Sequence, residues 1–267
     1  MLHADLHIHS RHSGDCDTDM ADVCEQALAR GLREIAFTDH VDFNPLDGSY
    51  AYLKPDLYLA DIDRCRRIYG DRLRIRAGVE ISEPHLYPQQ ANALVAAHPF
   101  DLVIGSVHWV GERTDWLGAY FDGWTLKEGM HAYFAEIEQL VAQADFDVLA
   151  HLDIVRRAVN YRFGLTQLDY APYEPAIRRI LRTMIDRGIA LEINTANYRR
   201  GLGETCPPLE VLHWYVEMGG EMVTAGSDAH TADSVASSFD VVRDMLDTVG
   251  IQRIATFDQR QLVWLRI

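Results

Sequence analysis

Asp101-Leu102-Val103-Ile104-Gly105-Ser106-Val107-His108 is a short apolar run that ends on an imidazole. A strand with one wet face alternates apolar and polar residues, whereas one buried on both faces of a parallel sheet is apolar throughout. The run therefore predicts a buried strand with a functional group at its carboxyl end. The same pattern recurs on either side of it. Asp5-Leu6-His7-Ile8-His9-Ser10 carries two histidines, residues 34–38 run into Asp39-His40, and residues 73–79 end in Glu80. Further on, residues 146–150 end in His151, residues 189–193 end at Asn194, and residues 222–225 lead into Gly226-Ser227-Asp228-Ala229-His230.

Helical segments separate these strands. They are read over residues 20–30 (stopped by Gly31), 55–69 and 89–97 (each opened near a proline), 127–144, 172–187 (stopped by Gly188), 208–218 and 239–249. One short extra strand is read over residues 253–257. Seven buried strands alternating with seven helices predict an α/β barrel. A doubly wound sheet is the rival, but it usually brings a glycine-rich phosphate loop, and no such loop is found. One domain spanning residues 1–267 is expected. The insertion from Trp109 to Trp124, with Trp116, Tyr120 and Phe121, reads equally as a lid over the site or as a packed surface loop.

The bulk numbers narrow the function. The chain has 48% hydrophobic and 24% charged residues, with no apolar run of membrane-spanning length and no signal-peptide pattern, so a cytoplasmic protein is expected. The formal charge is −15, from 40 acids against 25 Lys and Arg, which disfavours a nucleic-acid partner. Cys16, Cys24, Cys65 and Cys206 are too scattered for a zinc ribbon or a disulfide framework. The 12 histidines are more informative because so many terminate strands. His7 and His9, at i and i+2 on a strand, face the same way and could grip one ion, or could simply be half-buried core histidines. With His40, Glu80, His108, His151, Asp228 and His230 at the same barrel mouth, the donors exceed what one ion can coordinate. Two or three metals are expected, and histidine and carboxylate ligands suit Zn, Fe and Mn alike.

His7-Ile8-His9-Ser10, Thr38-Asp39-His40, Gly78-Val79-Glu80, Gly105-Ser106-Val107-His108, His151-Leu152-Asp153 and Gly226-Ser227-Asp228-Ala229-His230 together resemble the successive motifs of the polymerase-and-histidinol-phosphatase (PHP) superfamily. Their order and spacing are most similar to its histidinol-phosphate phosphatase branch. The resemblance implies a distorted (β/α)7 TIM-like barrel. It also implies one metal on His7, His9, Glu80 and Asp228, a second on Glu80, His108 and His151, and a third on Asp15, His40 and His230. Asp15 enters only through the family pattern. As a residue it is an acid in a loop, with His12 its nearest rival.

The implied activity is hydrolysis of a small phosphate monoester, L-histidinol phosphate, within histidine biosynthesis. A metal-bound hydroxide near Glu80 and Asp228 would be the nucleophile, with the third metal or an acid near His230 or Asp153 assisting the leaving alkoxide. Arg157, Arg199 and Arg200 lie in loops at the expected mouth and suit phosphate. Asp42 or Asp153 are candidates for the cationic end of the substrate, Trp109 for stacking on an imidazole, and Asn194 and Thr195 for lining the pocket or capping the strand; spacing assigns none of them. Two other readings stand beside this one: a phosphoesterase of nucleotides or oligonucleotide ends, and a noncatalytic metal-binding module.

Overall fold

The computed structural model describes residues 2–114 and 118–267, so Trp116 of the insertion lies outside the described residues. Strand β1 (Ala4–Ile8) is buried at all five positions. Helix α1 (Met20–Ala29) starts where the Asp19 carboxylate accepts the Ala21 N–H, satisfying one of the orphan donors of its first turn. Strand β2 (Glu34–Phe37) follows, is broken at Thr38-Asp39, and resumes as the two-residue β3 (His40–Val41). Helix α2 (Pro55–Tyr69) opens on proline, and its Tyr58 hydroxyl donates to the carbonyls of Phe37 and Gly78, pinning the helix to the sheet at 2.8 and 2.6 Å. Strand β4 (Arg74–Ser82) runs three residues beyond the expected end and is followed by α3 (Pro88–Ala97).

Strand β5 (Leu102–Ser106), the apolar run that leads to His108, is fully buried. The insertion after it forms a small hairpin, β6 (Trp109–Val110) with β7 (Arg113–Thr114), and a 3-10 turn over Gly118–Phe121. Tyr120 and Phe121 are buried in the core, and the Tyr120 hydroxyl donates to Gly129 O at 2.8 Å. Helix α4 (Leu126–Gln143) is fixed at its start by a reciprocal cap between Thr125 and Glu128. Strand β8 (Val148–Leu149) is short. The segment that reads as a polar loop after it is instead a helix, α5 (Arg156–Phe163), closed by Gly164 at φ 69°. Helix α6 (Glu174–Arg187) ends at Gly188 (φ 70°), and β9 (Ala190–Asn194), the short α7 (Ala196–Arg199), α8 (Leu209–Glu217), β10 (Val223–Gly226) and α9 (Phe239–Val249) follow. The extra strand at 253–257 is half of an antiparallel hairpin, β11 (Arg253–Asp258) with β12 (Gln261–Arg266), turned by Gln259 and Arg260 at positive φ.

The sheet order is β1-β2-β4-β5-β8-β9-β10, all parallel, with β3 pairing β4 off that path. The ring closes just past the ends of its first and last strands. Ile8 bridges Ala229, His9 N donates to Ala229 O at 2.9 Å, Asp228 N to His7 O at 2.8 Å, and Ser227 N to the Asp5 carboxylate at 2.9 Å. This is a nearly closed seven-strand barrel wrapped by helices, a distorted TIM-like fold in a single domain. Each buried side chain such as Leu102, Ile104 or Ile193 contributes about 1.5–3 kcal/mol. At the carboxyl ends the inward positions are polar instead. No helix among the described residues is long and apolar enough to cross a membrane.

Candidate functional site

Period-two alternation sends His7 of β1, His9 just past its end, Glu80 of β4 and His40 of β3 inward at the carboxyl end of the barrel, with register pairing His40 directly to Glu80. Glu80 is the hub. Its Oε2 lies 3.3 Å from His7 Nε2, 3.6 Å from His9 Nε2 and 3.0 Å from His40 Nδ1, while Oε1 lies 2.9 Å from His151 Nε2 and 3.4 Å from His108 Nε2. Asp228 Oδ1 stands 3.4 Å from His9 Nε2 and 3.5 Å from His230 Nδ1. Asp15 Oδ2 stands 3.1 Å from His230 Nε2 and 3.6 Å from His40 Nε2. His12 is placed elsewhere, with Nε2 3.2 Å from Asp61. Burial works against the charge on Glu80, but His7, His40 and His108 around it hold its carboxyl well below the usual carboxylate range. Burial also opposes the charge on Asp228, which His9, His7, His230 and Arg157 hold down in the same way.

The donor set fits divalent metal ions on a criterion internal to the chain. His7 Nε2 lies 3.1 Å from His9 Nε2, and His108 Nε2 lies 3.4 Å from His151 Nε2, contacts that put nitrogen against nitrogen. Hydrogen bonds on the far side of three rings decide which nitrogen carries the proton. Glu192 Oε1 accepts from His7 Nδ1 at 2.6 Å. Ser13 Oγ gives its own proton to Asp39 and so accepts from His9 Nδ1 at 3.2 Å. Ser82 Oγ gives its proton to Asp42 and accepts from His108 Nδ1 at 2.9 Å. In their neutral forms all three rings therefore turn a bare Nε2 lone pair toward the centre. Inward lone pairs beside carboxylate oxygens are what a cation satisfies. Among the described residues, four overlapping groups of side chains have ligand atoms close enough to share an ion: His7, His9 and Asp228; His7, Glu80 and His151; His40, Glu80 and His108; and His9, His40 and His230.

Glu192 is the residue that sequence reading missed. It is buried on β9, and its Oε2 also accepts from His151 N at 2.7 Å and Asn194 Nδ2 at 3.1 Å, tying two metal-facing histidines together. A signal existed, since an acid two residues before the strand end shares the inward face with Asn194. Gly226 makes room for it: a Cβ there would collide with the Glu192 carboxylate and sit 2.6 Å from His7 Cβ. Ser13 and Ser82 were likewise not anticipated, and nothing in their local sequence marks them.

The arginines gather on one side of this centre. Arg157 Nη2 lies 3.2 Å from Asp228 Oδ2 and its Nε donates to Asn197 Oδ1 at 3.2 Å. Arg199 donates to the carbonyls of Ser227 and Asp228 at 2.7 and 2.8 Å, bracing the loop that carries Asp228 at φ 51°. Arg200 is made less basic first by the neighbouring Arg157, then by burial. Asp15, Arg199, Arg200, Asp228 and His230 line a cleft of about 370 Å³. Asp153 is not at the centre: it is buried with the Tyr170 hydroxyl and Cys206 Sγ on its carboxylate oxygens. Trp109 is tethered by its indole N–H to Asp47 at 2.8 Å. Asn194 and Thr195 are both buried; the Asn194 amide serves Glu192 and the Ala196 N–H.

Comparison with known proteins agrees with this geometry. The histidinol-phosphatase of Lactococcus lactis subsp. lactis is 29% identical over 264 residues, 96% of this chain and 95% of that protein. A probable histidinol-phosphatase of Clostridium acetobutylicum is 27% identical over 255 residues, 94% of this chain and 95% of that protein. The crystal structure of the Lactococcus lactis histidinol phosphate phosphatase, complexed with zinc, L-histidinol and phosphate, matches with a TM-score of 0.91 at 27% identity, covering 98% of this chain and 100% of that one. A family model described as PHP domain matches residues 5–196. The chain belongs to the PHP domain family.

Proposed function

We propose that the protein is a metal-dependent phosphoric monoester hydrolase whose substrate is L-histidinol phosphate. The observation that carries this reading is one polar mouth holding inward-facing imidazole lone pairs and buried carboxylates, flanked by arginines. Relatives along the whole chain that are named histidinol-phosphatases support the substrate.

Three ions are proposed, of a kind left to experiment among zinc, iron and manganese. His7, His9, Glu80 and Asp228 would hold one, Glu80, His108 and His151 a second, and Asp15, His40 and His230 a third. Glu80 is suited to sharing because its two oxygens face different histidines, His7, His9 and His40 on one and His108 and His151 on the other. Such ions supply Lewis acidity toward water and toward the phosphoryl oxygens. Arg157 would orient the phosphoryl group, and Arg200 would add positive charge to the same rim, since charge-assisted hydrogen bonds are the strong ones. Arg199 acts one step back, by holding the backbone beneath Asp228. Asp153, with both oxygens engaged, is not proposed as the acid for the leaving group.

The test is phosphate release from L-histidinol phosphate after reconstitution with each metal, beside nucleoside monophosphates and short oligonucleotides. Histidinol phosphate is expected to give the highest kcat/KM. A clear preference for nucleotides would overturn the substrate assignment, and fewer than two ions per active chain would overturn the multinuclear site.

A further inference from the structure

The arginines lie on the β8–β10 side of the centre. Across it, at the ends of β3 and β4, the charge reverses. Asp42 and Glu83 are buried there, 4% and 1% exposed, and each has one engaged carboxylate oxygen and one without a hydrogen-bond partner. Asp42 Oδ1 accepts from Ser82 Oγ at 2.6 Å, and Ser82 in turn holds His108. Glu83 Oε1 accepts the backbone N–H of Trp109 at 3.0 Å and that of His108. Asp42 Oδ2 and Glu83 Oε2 remain over. The two carboxylates are near enough to repel each other, and Asp47, tethered to the Trp109 indole, adds to the same field.

A buried carboxylate oxygen with no hydrogen-bond partner is costly, so it is tolerated where a ligand completes it. The positively ionisable groups that act on Asp42 are His40 and His108, and as metal ligands both would be neutral. Glu83 moreover holds φ 45°, a conformation that a non-glycine residue keeps only under constraint and that recurs at ligand sites.

We propose that Asp42, supported by Glu83, is a specificity-determining residue that binds a cationic group on the leaving alcohol. This rests on the phosphomonoesterase reading. The chemistry it selects is a phosphate ester of an amino alcohol whose ammonium is three bonds from the ester oxygen: the phosphoryl end faces the arginines and the ammonium faces Asp42. Asp153, the other acid that the sequence offered for this task, is excluded because both its oxygens are occupied.

The experiment measures kcat/KM for matched esters, L-histidinol phosphate against its deamino analogue and 2-aminoethyl phosphate against ethyl phosphate, in the metal-loaded wild type, Asp42→Asn and Ser82→Ala. The wild type should prefer the amino ester of each pair. Asp42→Asn should lower that preference about tenfold or more, as expected for losing a charged hydrogen bond. Any loss shared by both esters reports the Ser82–His108 link and cancels in the ratio. Ser82→Ala should lower both members of a pair and keep the preference. A preference unchanged in Asp42→Asn, or no preference in the wild type, overturns the proposal.

Should Asp42→Asn fail to fold, inhibition of the wild type decides: L-histidinol should inhibit about tenfold more tightly than its deamino analogue, and equal inhibition overturns the proposal. A wild type inactive on histidinol phosphate, yet with an amino preference in the smaller pair that depends on Asp42, would sink the substrate assignment and leave this inference standing.

Discussion

Glu192→Gln is the most searching test of the centre, because it changes one atom and leaves the volume alone. The carboxylate takes three hydrogen bonds, from His7 Nδ1 at 2.6 Å, His151 N at 2.7 Å and Asn194 Nδ2 at 3.1 Å, and every partner is a donor. An amide has one oxygen and one NH2, so it cannot accept on both sides. With its oxygen toward His151 and Asn194, its NH2 meets His7 Nδ1, and the neutral ring must move its proton to Nε2. That is the atom whose lone pair a metal needs. The lost charged hydrogen bond is worth about 1.5–3 kcal/mol, which matches the 10- to 100-fold weakening of metal affinity common when such an orienting group is removed. In stability terms the metal-dependent stabilisation falls by about 1.4–2.7 kcal/mol, or about 3–6 °C in Tm for a chain of this size. The assay is chelator competition for affinity together with melting of the metal-loaded and metal-free forms. Wild-type metal affinity in Glu192→Gln, with an unchanged gap between the two melting temperatures, would refute the tautomer argument.

Other perturbations probe the surrounding parts. Arg157→Ala should raise the inhibition constant of inorganic phosphate about 10- to 100-fold, with Arg157→Lys recovering only part because the planar fork is lost; equal phosphate inhibition in all three proteins would remove Arg157 from the phosphoryl site. Gly226→Ala should cost about 1–3 kcal/mol in stability and also lower bound metal, since the new methyl displaces the Glu192 carboxylate from His7. Wild-type metal content in that variant would count against the role given to Glu192. Chelation should abolish phosphate release and lower Tm, because ions held by residues in β1 and β4 and just past β5, β8 and β10 would bind the folded state alone; an unchanged Tm would show that the donors are not occupied.

Much of this was legible in sequence because one physical pattern repeated: a short run apolar enough to be buried on both faces, stopped by a ligating side chain. His108 after β5 and His151 after β8 are visible that way without any coordinates. Where the pattern broke, reading failed. Helix α5 carries Arg156, Arg157 and Arg162 in eight residues and has no side-chain cap, so neither periodicity nor a start signal marks it. Strand β12 was missed because its turn is made by Gln259 and Arg260 at positive φ in place of glycine or asparagine. Asp15 and His12 are both polar residues of one loop, and only the tertiary arrangement sets Asp15 beside His40 and His230 while His12 turns to Asp61. Glu192 was hidden by its position inside a strand taken to be uniformly apolar.

The ring closes where Ser227 donates to Asp5, residues 222 positions apart, and two of the proposed ligands of one ion, His9 and Asp228, face each other across that seam. A growing chain presents its first two histidines long before it makes the carboxylate opposite them. No product of synthesis that stops before Asp228 and His230 carries all the proposed donors, and a fragment lacking β10 and the loop after it would keep only partial sets of them. Full metal occupancy therefore reports that the first and last strands of the ring have met. The slow step in acquiring activity should accordingly be long-range strand closure, with ion capture following it.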